Sequence, residues 1–194
     1  IQDNVITFNV NGTGVHCSGG GIGYYSSALG LYRVGDAQVT GNTLSDNFKG
    51  LTRCSPDVWT GTGESGIQGR SLAALSVYGS ENFISDNIIT NNHSKTDIHE
   101  NYSWFDWNSR AKMHGAGLSV IGESNSVTLN TISNNHTEAR YDRDYHHVML
   151  TGGGIYGWGD SLFISDNIID GNILEAKNHL SSYVAYVYGA GIYI

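Results

Sequence analysis

Proline occurs once, at Pro56, in a chain of 194 residues, and cysteine only twice. Positive charge is scarce: Lys and Arg number 10 against 18 Asp and Glu, leaving a net charge of −8. That deficit excludes a nucleic-acid partner, which needs a basic face to neutralise phosphates. No apolar run approaches the ~18–20 residues a membrane-spanning helix requires, so no membrane span is expected. Helical stretches are missing too, because Ser, Asn, Asp and Gly recur at short intervals and compete for backbone hydrogen bonds. Neither an initiator methionine nor a secretion leader opens the chain, which therefore reads as a mature product or a fragment of a longer one. What is plentiful is glycine (26), tyrosine (12), asparagine and serine. That mixture suits a turn-rich extracellular β protein.

The abundant residues are not scattered. FISDNIITNN at 83–92 returns as FISDNIIDGN at 163–172, and VTLNTISNN, VTGNTLSDN and the opening IQDNVITFN obey the same rule, [IV]-x-x-N-x-[IL]-x-x-N. The asparagine pairs are Asn4/Asn9, Asn42/Asn47, Asn87/Asn92, Asn130/Asn135 and Asn167/Asn172. Apolar anchors precede them (Ile1, Val39, Ile84, Val127, Ile164) and divide them (Ile6, Leu44, Ile89, Ile132, Ile169). Successive motifs lie 38, 45, 43 and 37 residues apart, the mark of a repeat architecture. A second element precedes each motif, headed by Leu31, Leu75, Leu118 or Ile155 and followed four residues later by Gly35, Gly79, Gly122 or Gly159. GAGIYI at 189–194 begins a further copy.

Each unit reads as strand, glycine turn, strand, asparagine corner, strand and then a variable excursion. Alternation gives each strand one buried face. About 20 regular residues are too few for a strand-helix unit but suit one turn of a parallel β-helix, whose equivalent residues stack ~4.8 Å apart. Asparagine at such a corner can adopt the left-handed conformation and hydrogen-bond its equivalents above and below. The expectation is one all-β domain over residues 1–194, a parallel β-helix solenoid of about five coils with long excursions on one side.

These repeats resemble those of right-handed parallel β-helix proteins, the superfamily of pectate lyases, phage tailspikes and surface adhesins. GGGI and GAGI before an [IV]-x-x-N corner are also similar to polymorphic outer-membrane-type repeats. The resemblance implies a fold and no particular activity.

Chemistry would sit in the excursions, which run from Asn9 to Leu31, Asn47 to Leu75, Asn92 to Leu118, Asn135 to Ile155 and Asn172 to Ile192. Trp104 and Trp107, with Phe105, could stack on sugar rings or bury a satellite cluster under the loop. Glu138, Asp142 and Asp144 could supply paired carboxylates for glycoside hydrolysis, or ligate a metal with His146 and His147. The alternative is a solvated loop neutralised by Arg140 and Arg143. Neighbouring coils offer Asn, Ser and Gly at these positions, so no catalytic residue, cofactor or metal is assigned. His93 and His136 share one slot, in NNHS and NNHT, which reads as shared corner geometry. Sequons at Asn11, Asn92, Asn101 and Asn135 are candidate glycosylation sites.

The function expected is an extracellular structural protein, a sheath or surface layer. Neither end carries a polar cap, so Ile192 and Ile194 of one copy would meet Ile1, Val5 and Ile6 of the next in a head-to-tail homopolymer. A carbohydrate-binding or carbohydrate-cleaving β-helix, or an adhesin passenger with a glycan partner, is the alternative. Cys17 lies eight residues after Asn9 and Cys54 seven after Asn47, nearly the same place on adjacent coils. Stacked neighbours meet the ~4.4–6.8 Å Cα separation of a disulfide. Separate buried thiols or cross-links between chains would be the other outcomes. A Cys17–Cys54 bond would add roughly 4 kcal/mol by the chain-entropy account and implies an oxidising compartment. Thiol titration of the non-reduced protein should find neither cysteine free; two free thiols would contradict the pairing.

Overall fold

The computed structural model describes residues 1–7, 10–14, 28–53, 68–69, 73–98, 110–114, 117–141, 147–178 and 185–194. Among these residues the chain forms strands and turns and no helix. The strands build five sheets, and every pairing within them is parallel. Each sheet takes one strand from each successive repeat. Sheet 1 holds Leu29–Gly35, Leu75–Ser80, Leu118–Ile121, Ile155–Trp158 and Ile192–Tyr193. Sheet 2 holds Gln38–Thr40, Phe83–Ser85, Ser126–Thr128 and Phe163–Ser165. Sheet 3 holds Val5–Thr7, Thr43–Ser45, Ile88–Thr90, Thr131–Ser133 and Ile168–Asp170. Sheet 4 holds Val10–Gly14, Phe48–Arg53, His93–Ile98, His136–Tyr141 and Ile173–Asn178. Sheet 5 holds Gln68–Gly69, Arg110–His114, His147–Thr151 and Ala185–Tyr188. The chain visits the sheets in the same cyclic order in each repeat, an arrangement compatible with a parallel β-helix.

Register converts sequence repetition into a core. Val39, Ile84, Val127 and Ile164 are consecutive partners in sheet 2, and Leu44, Ile89, Ile132 and Ile169 in sheet 3. Leu75, Leu118 and Ile155 line up in sheet 1. The inner members of all three rows have no exposed surface. Equivalent apolar side chains thus stack on one another and exclude water from the interior of each row.

The corners are held by asparagine. The backbone N–H and Nδ2 of Asn42 both donate to Oδ1 of Asn87, at 3.0 and 2.9 Å. Asn87 repeats this toward Asn130, and Asn130 toward Asn167. Asn4 enters the same column through Asn42. A second column runs Asn47, Asn92, Asn135, Asn172 with the same double donation. Each Nδ2 also donates backward: Asn87 to Val39 O, Asn130 to Ile84 O, Asn92 to Leu44 O and Asn135 to Ile89 O. One buried carboxamide therefore ties three successive repeats. Asn9, the remaining expected member, lies outside the described residues.

A backbone rule underlies the ladders. The residue before every described ladder asparagine has positive φ: Asp3, Gly41, Asp46, Asp86, Asn91, Leu129, Asn134, Asp166 and Gly171. Glycine, Asn and Asp tolerate this left-handed geometry, whereas Leu129 pays the Cβ penalty. A third corner, between sheets 1 and 2, repeats the geometry at Asp36, Glu81, Ser124 and Ser161. It carries a short ladder that the repeat motif does not include: Asn82 donates to Asn125 Oδ1, and Ala37 N–H donates to Asn82 Oδ1. The next repeat has Leu162 at this position, and Leu162 packs toward the core. There it fills space left by Gly157, which stands in register with Val120.

Three sequence expectations are corrected. Leu75 pairs with Leu29, not Leu31, and Gly79 pairs with Val34, not Gly35. The cause is one extra residue, Arg33, accommodated at positive φ where the register shifts. The excursions also begin later and end earlier than the motif suggests, since sheets 4 and 5 are built from them. Third, each repeat contributes five strands rather than three. The glycine turns stand as expected. Gly79, Gly122 and Gly159 have φ between 132° and 148°, and a Cβ on Gly122 would lie 2.0 Å from Gly79 O.

Two outcomes follow for stability. Asn130→Leu should leave Asn87 N–H without its acceptor and take one donor from Ile84 O, at ~1–3 kcal/mol for the buried group left unpaired, while Asn4→Leu at the exposed end of the column should change little. Urea unfolding monitored by circular dichroism ranks the two, and equal effects would contradict the ladder's role. Leu129 is 57% exposed at its positive φ, so Leu129→Asn should raise stability by ~1 kcal/mol. An unchanged or lower unfolding midpoint would refute that.

Candidate functional site: a histidine and carboxylate cluster on sheet 4

Sheet 4 departs from the apolar pattern. Ser94, Thr137 and Ala139 are buried on its inward face, with Leu174 the register partner of Thr137. Its opposite face carries the titratable groups. His93 and His136 are register partners, as are Lys95 and Glu138, and Glu138 and Glu175. Parallel in-register pairing puts equivalent side chains directly over one another. The two imidazoles accordingly stack, with centroids 4.7 Å apart and planes within 5°. Phe48 meets His93 edge-on at 5.4 Å.

The Glu138 carboxylate is buried, with its side chain only 5% exposed. Arg140 Nε donates to Oε1, and Lys177 Nζ lies 3.4 Å from the same oxygen. His93 Nε2 stands 3.7 Å from Oε2. Glu175 Oε2 contacts Lys177 Nζ at 2.8 Å and His136 Nε2 at 3.1 Å. Burial pushes the Glu138 carboxyl up, but the Arg140 hydrogen bond and the Lys177 charge outweigh it and hold the group below its usual value. The Lys177 hydrogen bond does the same for Glu175. Burial, with His136 alongside, lowers His93. The two carboxylates thus face the Arg140 and Lys177 cations. His93 Nε2 is buried without a hydrogen-bond partner.

Glycoside chemistry needs one carboxyl raised so that it can donate a proton. Glu138 and Glu175 are both held below the usual carboxylate value. Glu138 sits in a strand rather than a solvated loop, although its pairing with Arg140 is the one the sequence suggests. Asp142, Asp144 and His146 lie outside the described residues, as do Trp104, Trp107, Asn101, Cys17 and Cys54. The sequons at Asn92 and Asn135 require correction. Both carboxamides are buried, and their Nδ2 groups donate within the ladder. A glycan on the same nitrogen would displace those bonds. Asn11 lies in a sheet 4 strand opposite Lys49. Of the expected contact residues, Ile1, Val5, Ile192 and Ile194 are 48%, 74%, 41% and 72% exposed. Ile6 pairs with Leu44 in sheet 3.

Glu175 and Lys177 escape the sequence reading because no motif flags them. The signal present was registral: both lie at the same offset from Asn172 as Glu138 and Arg140 do from Asn135. Compared with known proteins, the chain matches no family model, no curated protein sequence and no solved structure.

Proposed function

We propose that the chain is a right-handed parallel β-helix solenoid of about five coils and serves as an extracellular structural protein. In this reading, coils of successive copies stack coaxially into a fibre, hoop, sheath or surface layer. The observation that carries it is the polarity of the ladders. Within each column every asparagine before the last donates forward, N–H and Nδ2 to the next Oδ1. Asn4 donates to Asn42, yet its own Oδ1 receives no donor among the described residues. Asn167 accepts from Asn130, and its backbone N–H meets no acceptor among them. The first described repeat offers the acceptor and the last the donor, so a joint between copies would extend the ladder by the bonds already used inside.

The apolar core supports the same joint. Ile1 is 48% exposed beside fully buried Val39, and Ile192 is 41% exposed above fully buried Ile155. Joining these faces would bury both and satisfy strand edges that otherwise template addition. Such an interface is heterologous and propagates. The disulfide and the extracellular setting belong to the same proposal.

A second reading, attachment to polysaccharide, draws on an outward row in sheet 1. Tyr32 stacks on Tyr78 at 5.1 Å, and the row continues through Ile121 to Trp158, which is 66% exposed. Exposed rings spaced along a strand ladder suit sugar faces.

Ile192→Lys distinguishes the readings, since it would place an unpaired charge in the joint. Electron microscopy of the folded variant should show dispersed particles where the unmodified protein forms filaments or tubes. Filaments from the variant, or a monodisperse monomer from the unmodified protein at high concentration, would reject assembly. Retarded migration in polysaccharide gels that Trp158→Ala abolishes would favour the second reading.

A further inference from the structure

We propose that His93, His136 and Glu138 form a binding site for a divalent transition ion of the zinc class. One donor atom from each residue lies within 4.8 Å of the others. Two imidazoles and a carboxylate are the donor set that Zn2+, Co2+, Ni2+ and Cu2+ share. His93 and His136 share a corner slot, and the fold adds Glu138, Glu175 and Lys177 around them.

Three features fit a cation. His93 Nε2 is buried and without a partner, a lone pair or N–H that nothing in the described structure uses. It points at Glu138 Oε2 across 3.7 Å, too far for a hydrogen bond but wide enough for a bridging ion. Second, the site already recruits positive charge. Lys177 Nζ reaches both Glu138, at 3.4 Å, and Glu175, at 2.8 Å. An ion would take over that role, releasing the ammonium to solvent on a side chain that is 44% exposed. Third, Glu175 Oε2 stands 3.1 Å from His136 Nε2 and supplies a further oxygen next to the set.

Geometry sets what must move. Ligand bonds of about 2.0–2.2 Å in a tetrahedron place donors roughly 3.4 Å apart, so donors separated by as much as 4.8 Å must close by about 1.4 Å. Rotation of the stacked rings about their own side-chain bonds can supply this. The strands themselves stay fixed by register, since His93 and His136 are paired residues of neighbouring strands. Phe48 closes one side of His93. Sheet 4 thus holds two ligands at fixed spacing and leaves the third on the same strand as the second, two residues on.

The test is titration of the full chain, stripped with chelator, by Zn2+ in a calorimeter and by Co2+ in the visible spectrum. One equivalent should bind, with tetrahedral-type cobalt bands. His93→Gln and His136→Gln should each weaken it by at least the ~10–100-fold that loss of even an outer-shell partner costs. Lys177→Met should tighten it, because the competing ammonium is gone. A double variant, His146→Gln with His147→Gln, controls for adventitious histidine binding and should keep the equivalent. In the unmodified protein, zinc should shift the ring resonances of His93 and His136 together, a readout that needs no variant to fold. Absence of binding, equal loss in the His146/His147 control, or ring shifts confined to other histidines would overturn the proposal.

Discussion

A carboxamide buried at a chain corner has few ways to be satisfied, and this fold depends on using all of them at once. Each inner ladder asparagine accepts two hydrogen bonds from the repeat before it, donates to the repeat after it and donates back to a carbonyl of the earlier one. Asn42, Asn87, Asn130 and Asn135 are fully inaccessible to solvent, so water cannot replace a lost partner. A net hydrogen bond is modest, but a buried group left unpaired is expensive. The ladder therefore acts as a register lock. A strand displaced by one residue would put its apolar row outside and strand a row of amides inside.

That lock explains the remaining features of the repeat. The corner must turn sharply enough to aim the asparagine along the stack, which requires the positive-φ residue immediately before it. Short strands follow, since sheets 2 and 3 allow only three residues between corners. Identical inward positions then superpose automatically, and the core becomes rows of Val, Ile and Leu. Where one repeat abandons its asparagine, as at Leu162, the substitution is absorbed by a glycine in the facing row.

The part of the fold legible in the sequence is the part governed by this constraint. Asn pairs five apart and their flanking aliphatics mark sheets 2 and 3 because a single residue type satisfies each position. Sheets 4 and 5 were not legible. The sheet 4 strands HSKTDI, HTEARY and ILEAKN share no apolar alternation, since one inward register row, Ser94, Thr137 and Leu174, mixes polar and apolar residues. The register error at Leu31 has a local cause: Arg33 adds one residue without altering the pattern of apolar letters. The cluster on sheet 4 was half legible. His93 and His136 announce themselves by sharing a slot, but Glu175 and Lys177 matter only once the repeat register extends past the second asparagine. Charge complementarity across strands leaves no motif in one strand alone.

Side-chain amide hydrogen exchange tests the ladder most directly. With 15N-labelled protein at neutral pH, the Nδ2 protons of Asn42, Asn87, Asn92, Asn130 and Asn135 should exchange far more slowly than those of Asn91 and Asn134. The latter two are exposed residues of the same corners, one position earlier in the chain. Protection should also be weaker at Asn4 than at its inner equivalents, because Asn4 is exposed and, among the described ladder residues, meets only Asn42. Uniformly fast exchange across all these carboxamides would contradict the buried ladder and, with it, the stacking that orders the rest of the chain.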